Sequence, residues 1–157
     1  MKRFVTLCLL GMLCIFGNAQ TSGTTHIPLL ETDLEKENFL IRLVKNKQKF
    51  IGRPASVIYA YMKGSGFPIN WMSTLSESAW NQPDGREKMT GVVIFDKTEK
   101  DAQMEKEIFS VHINLGLWED DNDFWQDVPE KNWMEYIREK TKDYTIQNID
   151  YVKFRGF

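Results

Sequence analysis

Ser110 and His112 are the first candidates for catalytic chemistry, because a serine nucleophile needs a histidine that takes its proton. The chain has two histidines, and the other, His26, lies in a polar N-terminal stretch. If residues 108–117 form a strand, side chains two residues apart stand about 7 Å from each other, too far for a direct hydrogen bond. The chain also has no Gly-x-Ser-x-Gly elbow. The sequence therefore assigns no catalytic residue, and we favour a role other than catalysis.

An acidic run at residues 119–123 is the first candidate for a metal site. Counted from Glu119, acidic residues occupy positions 1, 3, 5 and 12, as in a calcium-binding loop. Position 6, where that loop needs glycine for a sharp turn, is Phe124. Asp127 and Glu130 instead have the spacing of a helix capping box. We therefore expect a solvated acidic turn before a helix, with no metal and no other cofactor.

Tryptophan supplies the candidate ligand-binding residues. Four tryptophans are predicted in loops or at strand ends, near asparagine and aspartate residues: Trp71, Trp80, Trp118 and Trp125. Exposed rings in such positions stack on sugars or anchor a protein partner. The alternative is that these rings cover the ends of the hydrophobic core, where large aromatic side chains commonly lie.

Composition indicates an ordinary globular domain. The chain has 157 residues, of which 42% are hydrophobic, 13% aromatic and 27% charged. These values exclude a disordered chain, a collagen-like fibre, a coiled coil and a disulfide-dense toxin. The net charge of −2 disfavours nucleic acid as a partner, because that binding needs clustered lysine and arginine.

The N-terminus has the pattern of a cleaved signal peptide over residues 1–19. A short basic start precedes an apolar run that is shorter than a membrane span, and cleavage is expected near Ala19. Cleavage would remove Cys8 and Cys14, the only cysteines, and would change the net charge from −2 to −4. We expect a polar, flexible leader at residues 20–26 and a periplasmic or secreted protein with no membrane span in its mature chain.

Two helices are predicted at the start of a single α+β domain over residues 27–157. Thr32 and Glu35 form a capping box, which predicts a helix that runs to the basic residues before Gly52. Pro54 stands at the start of a second helix, which is predicted to end at Gly64. The short connection predicts a helix hairpin.

The remaining chain is predicted to form an antiparallel sheet. Its strands are β-branched or alternate between apolar and polar residues, and a third helix is inserted before the last of them. Residues 65–88 are either a strand near 67–74 or a functional loop. The predicted strands are residues 91–95, 108–117 and 145–154, the last with a bulge near Asp150–Tyr151, and the third helix is residues 128–142.

A helix hairpin followed by such a sheet resembles small envelope domains of the SmpA/OmlA outer-membrane assembly type and of the β-lactamase-inhibitor type. Ile51–Val57, in which a glycine precedes the second helix, carries this resemblance over about a third of the chain. The third helix departs from it. The resemblance implies a fold and a compartment, and it implies no activity.

These observations predict an exported, non-enzymatic binding domain of the bacterial envelope. We favour an envelope or extracellular protein as its partner. The alternative is a carbohydrate-binding or carbohydrate-processing protein that uses the tryptophan-rich loops. A protein-binding domain should present an apolar patch or an unpaired sheet edge, whereas a sugar-binding domain should present tryptophan rings side by side.

Overall fold

A computed structural model describes residues 28–102, 104, 107–126, 128–129 and 131–155. The predicted signal peptide, the leader, both cysteines and His26 lie outside these residues. The elements, in chain order, are α1 (Asp33–Lys45), α2 (Ala55–Gly64), β1 (Trp71–Glu77), β2 (Lys88–Phe95), α3 (Glu99–Ala102), β3 (Glu107–Asp120), α4 (Asp121–Trp125), α5 (Trp133–Thr141) and β4 (Asn148–Arg155). Short 3-10 turns occupy Lys47–Lys49 and Ala79–Asn81.

The four strands form one antiparallel sheet in the order β1-β2-β3-β4. Consecutive strands pair with each other, so β1 and β4 are the two edges. Helix α1 packs on β3 and β4, while α5 packs on β1 and beside α2. The helices thus cover one face of the sheet, and the predicted α+β class is confirmed. Among the described residues, no helix is long and apolar enough to cross a membrane.

The core lies between the helices and this covered face. Side chains from α1, α2, α5 and every strand meet there, including Leu40, Ile58, Ile94, Val111 and Ile137, which are all fully buried. The first two helices contact each other through aromatic rings, with the centroid of Phe39 lying 5.9 Å from that of Tyr61.

Local signals placed the first two helices correctly. The Thr32 side chain accepts the Glu35 N–H at 3.2 Å, and the Glu35 carboxylate accepts the Thr32 N–H at 3.0 Å, so the capping box is formed. Helix α2 has no side-chain cap. Its first N–H groups donate instead to backbone carbonyls of a distant segment, with Ala55 bonding to Tyr144 at 2.9 Å and Ser56 to Lys142 at 2.8 Å.

The third helix begins later than predicted. Val128 and Pro129 are not helical, and α5 begins at Trp133 after Asn132, which has a positive φ of 69°. A right-handed helix cannot run through a residue in the left-handed region, so the helix starts beyond it. The proposed capping residues Asp127 and Glu130 lie outside the described residues.

The last strand also differs from its prediction, because β4 pairs with β3 without interruption. The pairing runs from Glu107 opposite Arg155 to Asn114 opposite Asn148, so no bulge occurs in this strand pair. The sequence alternation is interrupted because apolar residues occupy both faces of β4, and the pairing itself continues. Tyr151 packs against the core, whereas Val152 lies on the face without helices and is 40% exposed. In residues 65–88, the strand alternative is confirmed by β1, which begins at Trp71.

Candidate functional site

Ser110 and His112 are hydrogen-bonded, contrary to the distance argument from their spacing. The Ser110 hydroxyl lies 3.1 Å from Nε2 of His112, because the imidazole extends along the strand towards it. Asp150 lies opposite His112 on β4, so the three residue types of a catalytic triad are neighbours. This combination calls for a test of whether the serine could act as a nucleophile.

The surroundings of Ser110 oppose catalysis. Ser110 is fully buried, so its hydroxyl offers no path to a substrate, and it also contacts the Val152 carbonyl oxygen at 3.4 Å. The Asp150 carboxylate is held by Asn148 at 2.6 Å and by Lys47 at 3.4 Å. Burial lowers the pKa of His112, although the negative charge of Asp150 partly offsets this effect. The group is therefore a partly buried set of hydrogen bonds on one face of the sheet.

The acidic run forms separate local bonds instead of one cluster. Glu119 accepts the Tyr144 hydroxyl at 2.6 Å, Asp120 pairs with Arg86 at 3.2 Å, and Asp121 accepts the Ser76 hydroxyl at 3.1 Å. Among the described residues, no three His, Cys, Asp or Glu side chains are grouped as a metal site requires. Glu130, the twelfth position of the compared loop, lies outside the described residues.

The four tryptophans have different environments. Trp71 stacks on Phe95, with ring centroids 4.4 Å apart, and Trp125 packs edge-on against the buried Phe124 at the rim of the core. Trp80 is 96% exposed. The side chain of Trp118 lies outside the described part of the structure. At about 3.3 Å per residue, the length of β1 separates Trp71 from Trp80 by roughly 20 Å, so these two rings do not form one stacking platform.

A concave surface lies between α2 and α5, and we call it the α2–α5 groove. It has a volume of about 480 Å³, within the range of ligand-binding clefts, and continues into a smaller cavity of about 220 Å³. Its walls and floor are mostly apolar and comprise Leu29, Phe67, Pro68, Ile69, Met72 and Met134. Polar groups stand among them, namely Lys63, Asn70, Asn132, Glu135 and Arg138.

Gly66 shapes one wall of the α2–α5 groove. Its φ is +74°, and a Cβ at this position would lie 2.1 Å from the carbonyl oxygen of Pro28, so only glycine fits. The Gly66 carbonyl accepts the Leu30 N–H at 2.9 Å, which fixes the chain before α1 against the end of α2. Leu29, 64% exposed, thereby becomes part of the wall.

Within the described part of the chain, the rim of the α2–α5 groove carries two cations and one anion. Arg138 donates a hydrogen bond to Glu135, and this bond, with a smaller effect from the charge of Lys63, lowers the pKa of Glu135. Lys63 is exposed and makes no hydrogen bond or ion pair within the described part of the chain. Beneath the rim, Tyr59 lines the smaller cavity and shares a 2.8 Å hydrogen bond with Thr141.

Of the predicted tryptophans whose side chains are described, Trp71, Trp80 and Trp125 do not line the α2–α5 groove. The sequence showed Lys63 and Arg138 only as ordinary basic residues in the last turns of two helices, 75 positions apart. One local signal pointed to the groove. Pro68–Asn70, the connection between α2 and β1, is more apolar than a solvated loop usually is. No protein-family model, curated protein or solved structure matches the chain.

Proposed function

We propose that this protein is an exported, non-enzymatic binding domain that recognises a protein partner through the α2–α5 groove. The observation that carries this proposal is an apolar groove floor that remains open beside a sheet whose other hydrophobic surfaces are largely packed. Apolar concavities with a few polar groups at the rim are where proteins bind ligands and partner segments. The N-terminal pattern of residues 1–19 supports export, with the periplasm or the extracellular space as the working compartment.

A protein partner fits this groove better than a sugar does. The accessible part of its floor includes the side chains of Ile69 and Met134, which adapt to apolar side chains of a partner. Sugar sites depend on exposed aromatic faces, and the aromatic ring of Phe67 is 2% exposed and stacked on Phe39. The edge strand β1 begins at this groove, so an extended segment has a strand beside which to lie.

The test is site-specific photo-crosslinking in envelope preparations of the source organism. A photoreactive phenylalanine analogue replaces Leu29, an exposed residue of the groove wall, and a control chain carries it at Lys49, which is exposed between α1 and α2. The adduct is identified by mass spectrometry, and the identified protein is purified and titrated by calorimetry. We expect an adduct from the Leu29 position only.

A blocking variant makes the result specific to the groove. Ala60 is an exposed helical residue on the wall of the smaller cavity, so Ala60→Trp fills the space without disturbing the core. The purified partner should bind this variant at least about tenfold more weakly, as expected when a central anchor pocket is lost. Equal binding to wild type and Ala60→Trp would refute the assignment to the groove.

Carbohydrate binding or processing is the second candidate, and the exposure of Trp80 favours it. A ring that is 96% exposed makes little contribution to folding and is free to stack on a sugar. The check is the melting temperature of wild type and Trp80→Ala across a panel of cell-wall and host glycans. A rise in wild type that Trp80→Ala abolishes would favour this candidate over a protein partner.

A further inference from the structure

The charge at the α2–α5 groove is opposite to that of the chain as a whole. The chain has 20 Lys and Arg against 22 Asp and Glu. Among the described residues that line the groove, Lys63 and Arg138 stand beside one carboxylate, Glu135. The charge of Glu139 also reaches Arg138, but Glu139 does not line the groove and is paired with Lys142, so the rim is locally positive. The protein has a net negative charge, but this surface has a positive rim above an apolar floor. Such a surface attracts a partner that carries negative charge beside apolar groups.

The Arg138–Glu135 pair is weak enough to exchange. Both side chains are about half exposed, at 42% and 54%, and such surface pairs add little stability. A guanidinium has five N–H donors, so Arg138 can bind a second carboxylate in addition to Glu135 or in its place. Glu135 therefore occupies the position at which a carboxylate from outside would bind, and it competes for the same cation.

We propose that the groove binds a partner segment in which a carboxylate stands next to a large apolar side chain. The apolar side chain enters over Ile69 and Met134, and the carboxylate binds Lys63 and displaces Glu135 from Arg138. This inference rests on the proposed function, since it names the chemistry of the partner at the same groove. Glu135 acts as an internal competitor that sets the affinity.

The experiment uses three probes that share a phenylpropyl body and differ in charge: 4-phenylbutyrate, 4-phenylbutyramide and 3-phenylpropylamine. Each is titrated into the purified chain and followed by the backbone amide signals of Ile69, Met72 and Arg138 in two-dimensional NMR. The anion should bind most tightly and the cation least, with two- to fivefold steps of the size that exposed charge pairs produce. If the neutral or cationic probe binds as tightly as the anion, the inference is wrong.

Three variants test the named groups. Lys63→Glu should weaken phenylbutyrate about fivefold and reverse the order of the anion and the cation, whereas Glu135→Gln should tighten phenylbutyrate about threefold. Lys49→Glu makes the same charge change at an exposed lysine that does not line the groove, and it should leave all three affinities unchanged. An equal effect of the Lys49 and Lys63 changes would show that only the net charge matters and would refute the inference.

Capped dipeptides show whether the occupant of the groove is a segment of a partner protein or a free small acid. Acetyl-Phe-Glu-amide should shift the same signals more than acetyl-Phe-Gln-amide does; phenylbutyrate binding without any dipeptide effect would contradict a protein segment as the occupant. Failure here remains distinct from failure of the proposed function. If a partner crosslinks specifically at the groove but binds wild type and Lys63→Glu equally, the proposed function stands. Only the inference about the partner's carboxylate is then wrong.

Discussion

The buried ion pair between Lys36 and Asp96 supports the first prediction. Lys36 on α1 is 5% exposed, and its Nζ lies 2.9 Å from Oδ2 of Asp96, a fully buried side chain at the end of β2. The other Asp96 oxygen accepts the Phe109 N–H at 2.8 Å. The pair therefore joins α1 to the β2–β3 end of the sheet. Lys36→Met preserves the length and apolar stem of the side chain and removes only its charge.

The expected cost follows from what Lys36→Met leaves behind. Removing one partner of a buried ion pair typically costs about 3–5 kcal/mol, because the other charge remains buried without compensation. Asp96 keeps a second cation, since the Lys97 Nζ lies 3.8 Å away. We therefore expect the lower end, about 3 kcal/mol, which is a large share of a typical domain stability of about 5–15 kcal/mol.

The double variant Lys36→Met with Asp96→Asn removes both charges. An asparagine oxygen can still accept the Phe109 N–H, so the double variant should lie within about 1 kcal/mol of wild type. The assay is urea unfolding at pH 7, followed by circular dichroism, for wild type, both single variants and the double variant. If the double variant loses as much as the two single variants combined, the interpretation as a coupled buried pair is refuted.

The pH dependence of the same variants gives an independent check. Burial lowers the pKa of Lys36, but the hydrogen bond and charge of Asp96 outweigh this, so the pKa is raised. A raised lysine pKa gives stability that is fully present below the unfolded value of about 10.4 and is lost as the pH rises through the folded value. The difference between wild type and Lys36→Met should therefore shrink above pH ~10.4. A constant difference would show that charge is not its origin.

Three further predictions concern packing and titration. Gly91→Ala should destabilise the fold by about 3 kcal/mol, because the new Cβ would lie 2.0 Å from the Ile113 carbonyl oxygen. Gly64→Ala should stabilise the fold by about 0.5 kcal/mol, because no atom lies within 4 Å of its new Cβ. Thermal melts of the two variants and wild type test both predictions. Burial raises the pKa of Tyr59 to about 12, so wild type should lose stability relative to Tyr59→Phe between pH 10 and 12 in urea titrations. The lowered pKa of His112 predicts that wild type loses stability relative to His112→Gln as the pH falls below about 6.5, and parallel pH curves would contradict this.

Local sequence patterns determined the order and type of most elements. The capping box at Thr32 acts within four residues, and the alternation along β3 repeats every two, so both are encoded without reference to the rest of the chain. The predicted start of α5 is too early, because the left-handed conformation of Asn132 is fixed only when the chain folds. The caps of α2 are carbonyls of Tyr144 and Lys142, which no local pattern could identify.

The candidate site depended on tertiary structure. Exposed aromatic residues drew attention to the tryptophans, yet Trp71 and Trp125 pack on neighbouring rings and do not line the groove. Lys63 and Arg138 become neighbours only because α2 and α5 pack side by side over the same sheet. Sequence periodicity decides which face of a helix is buried, but the space left between two buried faces depends on side chains far apart in the chain. For that reason the sequence determined the elements, and their packing determined the groove.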